Sequence, residues 1–239
     1  MSTSAASAQQ PEVGVFEEAL PGSLFERLVR AVRSIGNERL ERNYTTTFWH
    51  SLGEEPKNVA EEAVVELTKL VDLPPECVGI EWWLGRLAYG EKLRFHFDRD
   101  MTIRKQTGQY VHPRFGSILY LNSFPSSPTV VLDQVPSPDG KSKVPPKPKF
   151  RTAIPPVSNR YMVFAGNLRH GVIPVSSARL DSKHAGQGAS PRRAESSEVR
   201  LSLLVNFWDR RPMPPICFDY DGTIYGRLQD EDVFRVDER

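Results

Sequence analysis

The chain has little cysteine, no long apolar run and almost no net charge, and each shortage removes a class of protein. Its only cysteines, Cys77 and Cys217, form no metal-spaced pair and supply no disulfide framework, so neither a thiolate zinc site nor a cystine-stapled scaffold organises it. No apolar stretch approaches the roughly 18–20 residues that a membrane-crossing helix needs. The formal net charge is +1, which argues against a nucleic-acid or membrane partner recruited by bulk electrostatics. Met1 to Pro11 is small and polar, with neither a basic start nor an apolar core. No secretory leader is visible there, and a reducing, cytoplasmic setting is expected.

What is present is the balance of a soluble globular protein: 39% apolar and 26% charged residues over 239 positions, enough for one large domain. Residues 1–12 are expected to be disordered and 13–239 to form a single domain. Its first part, 13–77, reads as helical support. Leu24, Phe25, Leu28, Val29, Val32 and Ile35 recur at helical spacing between Ser23, a candidate N-cap, and Gly36. Ala60, Ala63, Val64, Leu67 and Leu70 predict a second helix over 58–71, stopped by Pro74-Pro75. The stretch 44–49 between them is rich in threonine and aromatics, a strand composition. From Val78 the texture turns to β, with strands predicted over 80–89, 92–99, 114–122, 129–132, 160–165, 170–175 and 200–208. Two long loops are expected at 133–150 and 176–198, where proline, lysine, serine and glycine replace apolar periodicity, and 211–239 is a C-terminal extension. Helices followed by many short strands imply a mainly β fold with helical support (α+β), built as an antiparallel barrel or sandwich.

The chemistry concentrates at 93–100. Leu93, Phe95 and Phe97 alternate with Arg94, His96 and Asp98, so His96 and Asp98 share one strand face, roughly 6–7 Å apart. An imidazole and a carboxylate placed so can hold two adjacent positions of one metal ion, and a second histidine would complete a facial 2-His-1-carboxylate set. Of the other histidines, His50, His112, His170 and His184, His170 is the best third ligand, because it follows a predicted strand and turn and begins an apolar stretch.

The run His96-Phe97-Asp98, then Arg114 to Asn122 with Tyr120-Leu-Asn122, then His170-Gly-Val-Ile-Pro-Val175, then Arg200-Leu-Ser-Leu-Leu-Val-Asn-Phe-Trp208 resembles the Fe(II)/2-oxoglutarate-dependent dioxygenases, their prolyl-hydroxylase-like branch most of all. The resemblance spans about residues 78–210. It implies a double-stranded β-helix, a jelly-roll or cupin-like barrel, with iron on His96, Asp98 and His170. It implies that Arg200 and Tyr120 hold the distal carboxylate of 2-oxoglutarate, and that the protein uses O₂ to oxidise, by hydroxylation, a C–H bond. Family members that halogenate lack the carboxylate ligand, which Asp98 supplies here. The physical reading agrees, since a dicarboxylate calls for a bidentate cationic fork.

Two departures from the pattern are visible. Arg200 lies farther from His170 than the family's usual spacing, and Arg179 competes for its role; an apolar strand follows Arg200 but not Arg179. Ser126-Ser127 stands where the branch often carries a Gly-Gly pair, which counts against a peptidyl-proline substrate; a small-molecule substrate is expected. Asp219-Tyr220-Asp221-Gly222-Thr223 resembles a phosphatase nucleophile motif, but only sixteen residues follow it, too few for the domain that chemistry needs, so a turn is expected. Two other readings stay open: an iron oxidase on the same scaffold that does not consume 2-oxoglutarate, and a non-enzymatic β-barrel that binds a partner.

Overall fold

A computed structural model describes residues 10–174, 199–214 and 217–229. In chain order its elements are β1 (Val13–Phe16), α1 (Gly22–Ile35), α2 (Asn37–Arg42), β2 (Thr47–Ser51), α3 (Val59–Thr68), β3 (Gly79–Ala88), β4 (Leu93–His96), α4 (Met101–Thr107), β5 (Phe115–Tyr120), β6 (Thr129–Leu132), β7 (Val135–Pro136), β8 (Lys143–Val144), β9 (Arg151–Ile154), β10 (Tyr161–Ala165), β11 (His170–Val172), β12 (Val199–Trp208) and β13 (Cys217–Asp219). The fold is mainly β. A seven-stranded sheet runs β1-β10-β5-β12-β3-β2-β13, and a four-stranded sheet runs β4-β11-β6-β9. Among the described residues no hydrogen-bonded pairing closes the two into one barrel. No helix among them is long and apolar enough to cross a membrane.

Period-2 alternation in the longest strands makes the layers. In β12, Leu201, Leu203, Val205 and Phe207 point to one face and are buried beneath the helices, against Leu28 and Val32 of α1 and Ala63, Val64 and Leu67 of α3. Full burial of each such side chain stabilises by roughly 1.5–3 kcal/mol. The opposite face of the large sheet offers Ile118, Tyr120, Met162 and Phe164, which pack on Val131 and Ile154 of the small sheet. The helices are therefore a packing layer. Asn58 caps α3, its side-chain oxygen accepting from Ala60 N and Glu61 N at 2.9 and 3.0 Å.

Several expectations need correction. The first helix begins at Gly22 with Pro21 at its cap, and no side chain caps it; Ser23 lies inside. The segment 133–150 is not a plain loop but holds the β7–β8 hairpin. Polar clips rather than apolar periodicity order it: Gln134 Nε2 donates to the carbonyls of Pro145 and Pro146, and Asp133 accepts from Lys149 N. The strand expected over 92–99 ends at His96. The phosphatase-like stretch is a turn after β13, with Asp221 accepting from Thr223 N and Gly222 at φ 83°. Residues 1–9 and the loop 176–198, with Arg179 and His184, lie outside the described residues.

Candidate metal centre

His96 is the last residue of β4 and His170 the first of β11, and the two sit opposite each other in the antiparallel register. Their rings lie 4.5 Å apart, centroid to centroid. The close approach depends on Gly171. A β-carbon there would lie 2.9 Å from the Leu93 carbonyl oxygen and 3.0 Å from the Phe95 backbone, so any other residue would push β11 off β4. Asp98 is not on the strand. The chain has turned towards α4, whose first turn Asp100 caps. The Asp98 carboxylate nonetheless reaches both imidazoles, at 3.4 Å from His96 Nε2 and 3.7 Å from His170 Nε2. One ligand atom from each of the three residues lies within 4.8 Å of the others. No other group of three such side chains exists among the described residues.

Backbone carbonyls fix how the imidazoles present themselves. His96 Nδ1 contacts Arg94 O at 2.8 Å and His170 Nδ1 contacts Leu168 O at 3.0 Å. Each carbonyl favours the proton on Nδ1, which leaves Nε2, the nitrogen on the Asp98 side, available as a metal ligand in the neutral form. Burial alone would raise the Asp98 carboxyl, but His170, His96 and the Asn206 amide outweigh it and hold it down at about 2. His96 is disfavoured as a cation by burial, yet its bond to Asp98 and that carboxylate's charge leave it above its ordinary value. Burial pushes His170 below its ordinary value. Two neutral-capable nitrogens around one firm carboxylate make a donor set that fits a divalent transition metal.

Arg200 opens the neighbouring pocket, lined also by Tyr44, Gly85, Ile118, Thr129, His170, Ser202 and Leu204. The guanidinium is buried, 4% exposed. It donates to Ser127 O at 2.7 Å, Thr129 Oγ1 at 2.9 Å and Ser202 Oγ at 3.4 Å. All three acceptors are neutral, and among the described residues no carboxylate lies within ion-pair distance. Tyr120 contributes its ring face, 4.9 Å from the guanidinium carbon, while its hydroxyl bonds Thr129 Oγ1 at 2.9 Å. Ser127, at one of the Gly-Gly positions, holds a φ of 66°, a region glycine enters freely and serine rarely. That backbone brings its carbonyl onto Arg200.

Four neighbours escaped the sequence reading as site residues. By alternation Asn206 shares the Arg200 face of β12, and its amide donates to Asp98 Oδ2 at 3.2 Å. Glu81 faces Asn206 across the β3–β12 register, hydrogen-bonds it, and accepts from Trp208 Nε1 at 3.0 Å. Burial pushes the Glu81 carboxyl up to about 7 despite those bonds. Tyr44 enters the pocket from the region before the β core. His112, in the loop before β5, contacts the Asp98 carbonyl through Nδ1. Only Asn206 had a readable signal, the period-2 alternation. His50 is buried on β2 near Glu61, with 3.5 Å between Nδ1 and the carboxylate, and takes no part. A roomier cleft of about 840 Å³, lined by Arg30, Arg33, Leu40 and Asn122 among others, lacks the triad.

No protein-family model and no curated protein sequence matches the chain. Among solved structures, it is similar to a Pseudomonas putida prolyl-4-hydroxylase, with 20% identity, TM-score 0.45, and 88% of this chain and 99% of that one covered. It is similar to AviO1 from Streptomyces viridochromogenes Tue57, with 16% identity, TM-score 0.48, and 86% and 93% covered. It is also similar to a Trichoplax adhaerens prolyl hydroxylase solved with a hypoxia-inducible-factor peptide, with 13% identity, TM-score 0.42, and 82% and 83% covered. Two of these three are prolyl hydroxylases, the branch that the sequence motifs resemble. With every TM-score below 0.5, the likeness decides neither the activity of this chain nor its substrate.

Proposed function

We propose that the protein is a non-heme Fe(II) oxygenase that consumes O₂ and 2-oxoglutarate to oxidise, most simply to hydroxylate, a C–H bond of a small molecule. The observation that carries this reading is the convergence of His96 Nε2, His170 Nε2 and the Asp98 carboxylate, with both Nδ1 atoms tied to backbone carbonyls. In this reading the two sheets are the halves of a double-stranded β-helix, and 13–239 is one oxygenase domain. Iron, O₂ and 2-oxoglutarate together supply the oxidising power, with CO₂ and succinate as the cosubstrate's products. The protein's part is binding and orientation. His96, Asp98 and His170 hold the metal on one face and leave other positions open. Asn206 keeps the Asp98 carboxylate turned inwards. Arg200, charged and buried among neutral acceptors, meets the distal carboxylate of the cosubstrate, an anion that relieves the cost of its burial. Tyr120 supports the guanidinium through its ring and through Thr129. The unpaired thiols Cys77 and Cys217 suit the reducing, cytoplasmic setting assigned here.

The test is anaerobic Fe(II) titration of the purified protein, followed by succinate measurement with O₂ and 2-oxoglutarate across a metabolite panel. One Fe(II) per chain and substrate-stimulated succinate support the reading. Iron binding with substrate oxidation but no succinate would make it an oxidase independent of 2-oxoglutarate. Absence of specific iron binding would leave a binding module.

A further inference from the structure

We propose that Arg99 and Arg104 form an anion clamp beside the triad, so that the substrate carries a carboxylate or phosphate group. The inference rests on the triad being the metal site and adds the substrate's charge to it.

Arg99 follows Asp98 directly, and the two arginines converge on one ring. The guanidinium carbons of Arg99 and Arg104 lie 5.6 and 5.1 Å from the centroid of Tyr110. Tyr110 is two residues before His112, whose Nδ1 contacts the Asp98 carbonyl, so the cluster hangs on the segment that carries the metal ligand. The turn between β7 and β8 packs against the same ring. A β-carbon on Gly140 would lie 2.0 Å from it, and Gly140 holds a φ of 65°.

Two like charges gathered around one aromatic ring repel, and aromatic contact returns only about 0.5–2 kcal/mol per cation. Among the described residues neither arginine has a carboxylate within ion-pair distance. Both flanking carboxylates are occupied: Asp98 faces His96, His170 and the Asn206 amide, and Asp100 accepts from Thr102 N and Ile103 N at Oδ1 and from Met213 N at Oδ2. Arg104 Nε is buried without a partner. A cluster that raises its own energy in the free protein is poised for an oxyanion, which arginine forks bind bidentately.

The charge distribution of the chain points the same way. Between Lys92 and Val172 there are thirteen lysines and arginines against four aspartates and no glutamate, a net +9, which leaves −8 for the remainder of a chain of net charge +1. That stretch carries the triad and the whole small sheet. Arg114 and Arg160 are paired with Asp209 and Glu17 from outside the stretch, and the excess that remains is of the sign that concentrates anionic ligands.

The test uses full-length protein loaded with Mn(II), its occupancy counted by electron paramagnetic resonance, with 2-oxoglutarate present. Inorganic phosphate and acetate are added in separate titrations at constant ionic strength, and phosphorus or carbon NMR relaxation reports an anion held near the metal. We expect one of the two to relax faster with the wild type. The effect should weaken by about tenfold or more in Arg99→Gln/Arg104→Gln, with Mn(II) affinity unchanged. Phosphate alone would indicate a phosphorylated substrate, acetate alone a carboxylic acid. Equal relaxation in wild type and variant, or none in either while Mn(II) is bound, would overturn the clamp. Failure of Mn(II) to bind would overturn the triad reading instead, and the clamp's placement beside a metal with it.

Discussion

The two faces of β12 follow opposite rules. One carries Leu201, Leu203, Val205 and Phe207 into an apolar core beneath α1 and α3. The other carries Arg200, Ser202 and Asn206, all buried, with Leu204 among them and hydrogen-bonded polar partners around them. The first face stabilises the fold and needs only shape and volume. The second costs stability, because a buried charge or amide must find its partners, and it has no evident packing purpose.

Substitutions on the two faces should therefore separate function from folding. The largest effect is expected from Asp98→Ala, His96→Ala and His170→Ala. Each removes one of three ligands and should abolish tight Fe(II) binding in an anaerobic titration, with the melting temperature little changed. His112→Ala, which removes a contact to a carbonyl and no ligand, should keep the metal; iron lost there but retained in His170→Ala would show the triad to be wrongly assigned. Next comes Arg200→Ala, expected to raise the 2-oxoglutarate KM by roughly 30-fold to several thousand-fold, the equivalent of 2–5 kcal/mol, while iron binding persists. Tyr120→Phe should act more weakly, since the guanidinium keeps its own bonds to Ser127 and Thr129 and only a neutral hydroxyl donor is lost.

The apolar face should behave in the reverse manner. Leu203→Ala leaves a cavity under the helices and should lower stability by about 2–5 kcal/mol in denaturant unfolding, yet Fe(II) affinity measured on the folded fraction should not move. A large loss of iron affinity in that variant would erase the distinction between the faces. Asn206→Ala is intermediate, with metal affinity expected to fall about 10- to 100-fold because the Asp98 carboxylate loses the amide that orients it.

A last contrast concerns pH. Glu81 titrates at about 7 in the fold, above its unfolded value of about 4.3. A carboxyl raised in this way contributes its stability in full below the unfolded value, and loses it as pH rises through the folded one. The metal-free protein should therefore lose up to about 3 kcal/mol of stability between roughly pH 4.5 and 7 on this account. Glu81→Gln should flatten the slope across that window. An unchanged slope in the variant would place the titration on another group.

Much of this was legible before any coordinates. Alternation along a strand is a local property, because successive side chains must point to opposite sides of a pleated backbone. That is why the run 200–208 discloses which residues share a face with Arg200, and why His170 could be placed at a strand start. It also explains the errors. Asp98 was assigned to the His96 strand by alternation, but Asp100 starts α4 and pulls the chain out of the strand. The 133–150 hairpin is ordered by clips from Gln134 and Asp133 that follow no period.

The sequence by itself determined the β texture of the core, the apolar and polar faces of β12, and the residues of the triad as candidates. Only the tertiary structure decided who stands beside them. β12 lies between β3 and β5, which sets Glu81 opposite Asn206 from 125 positions away, and packing brings Tyr44 into the Arg200 pocket and the two arginines onto Tyr110. Strand order and layer packing depend on the whole set of buried surfaces at once, so no short window of residues encodes them.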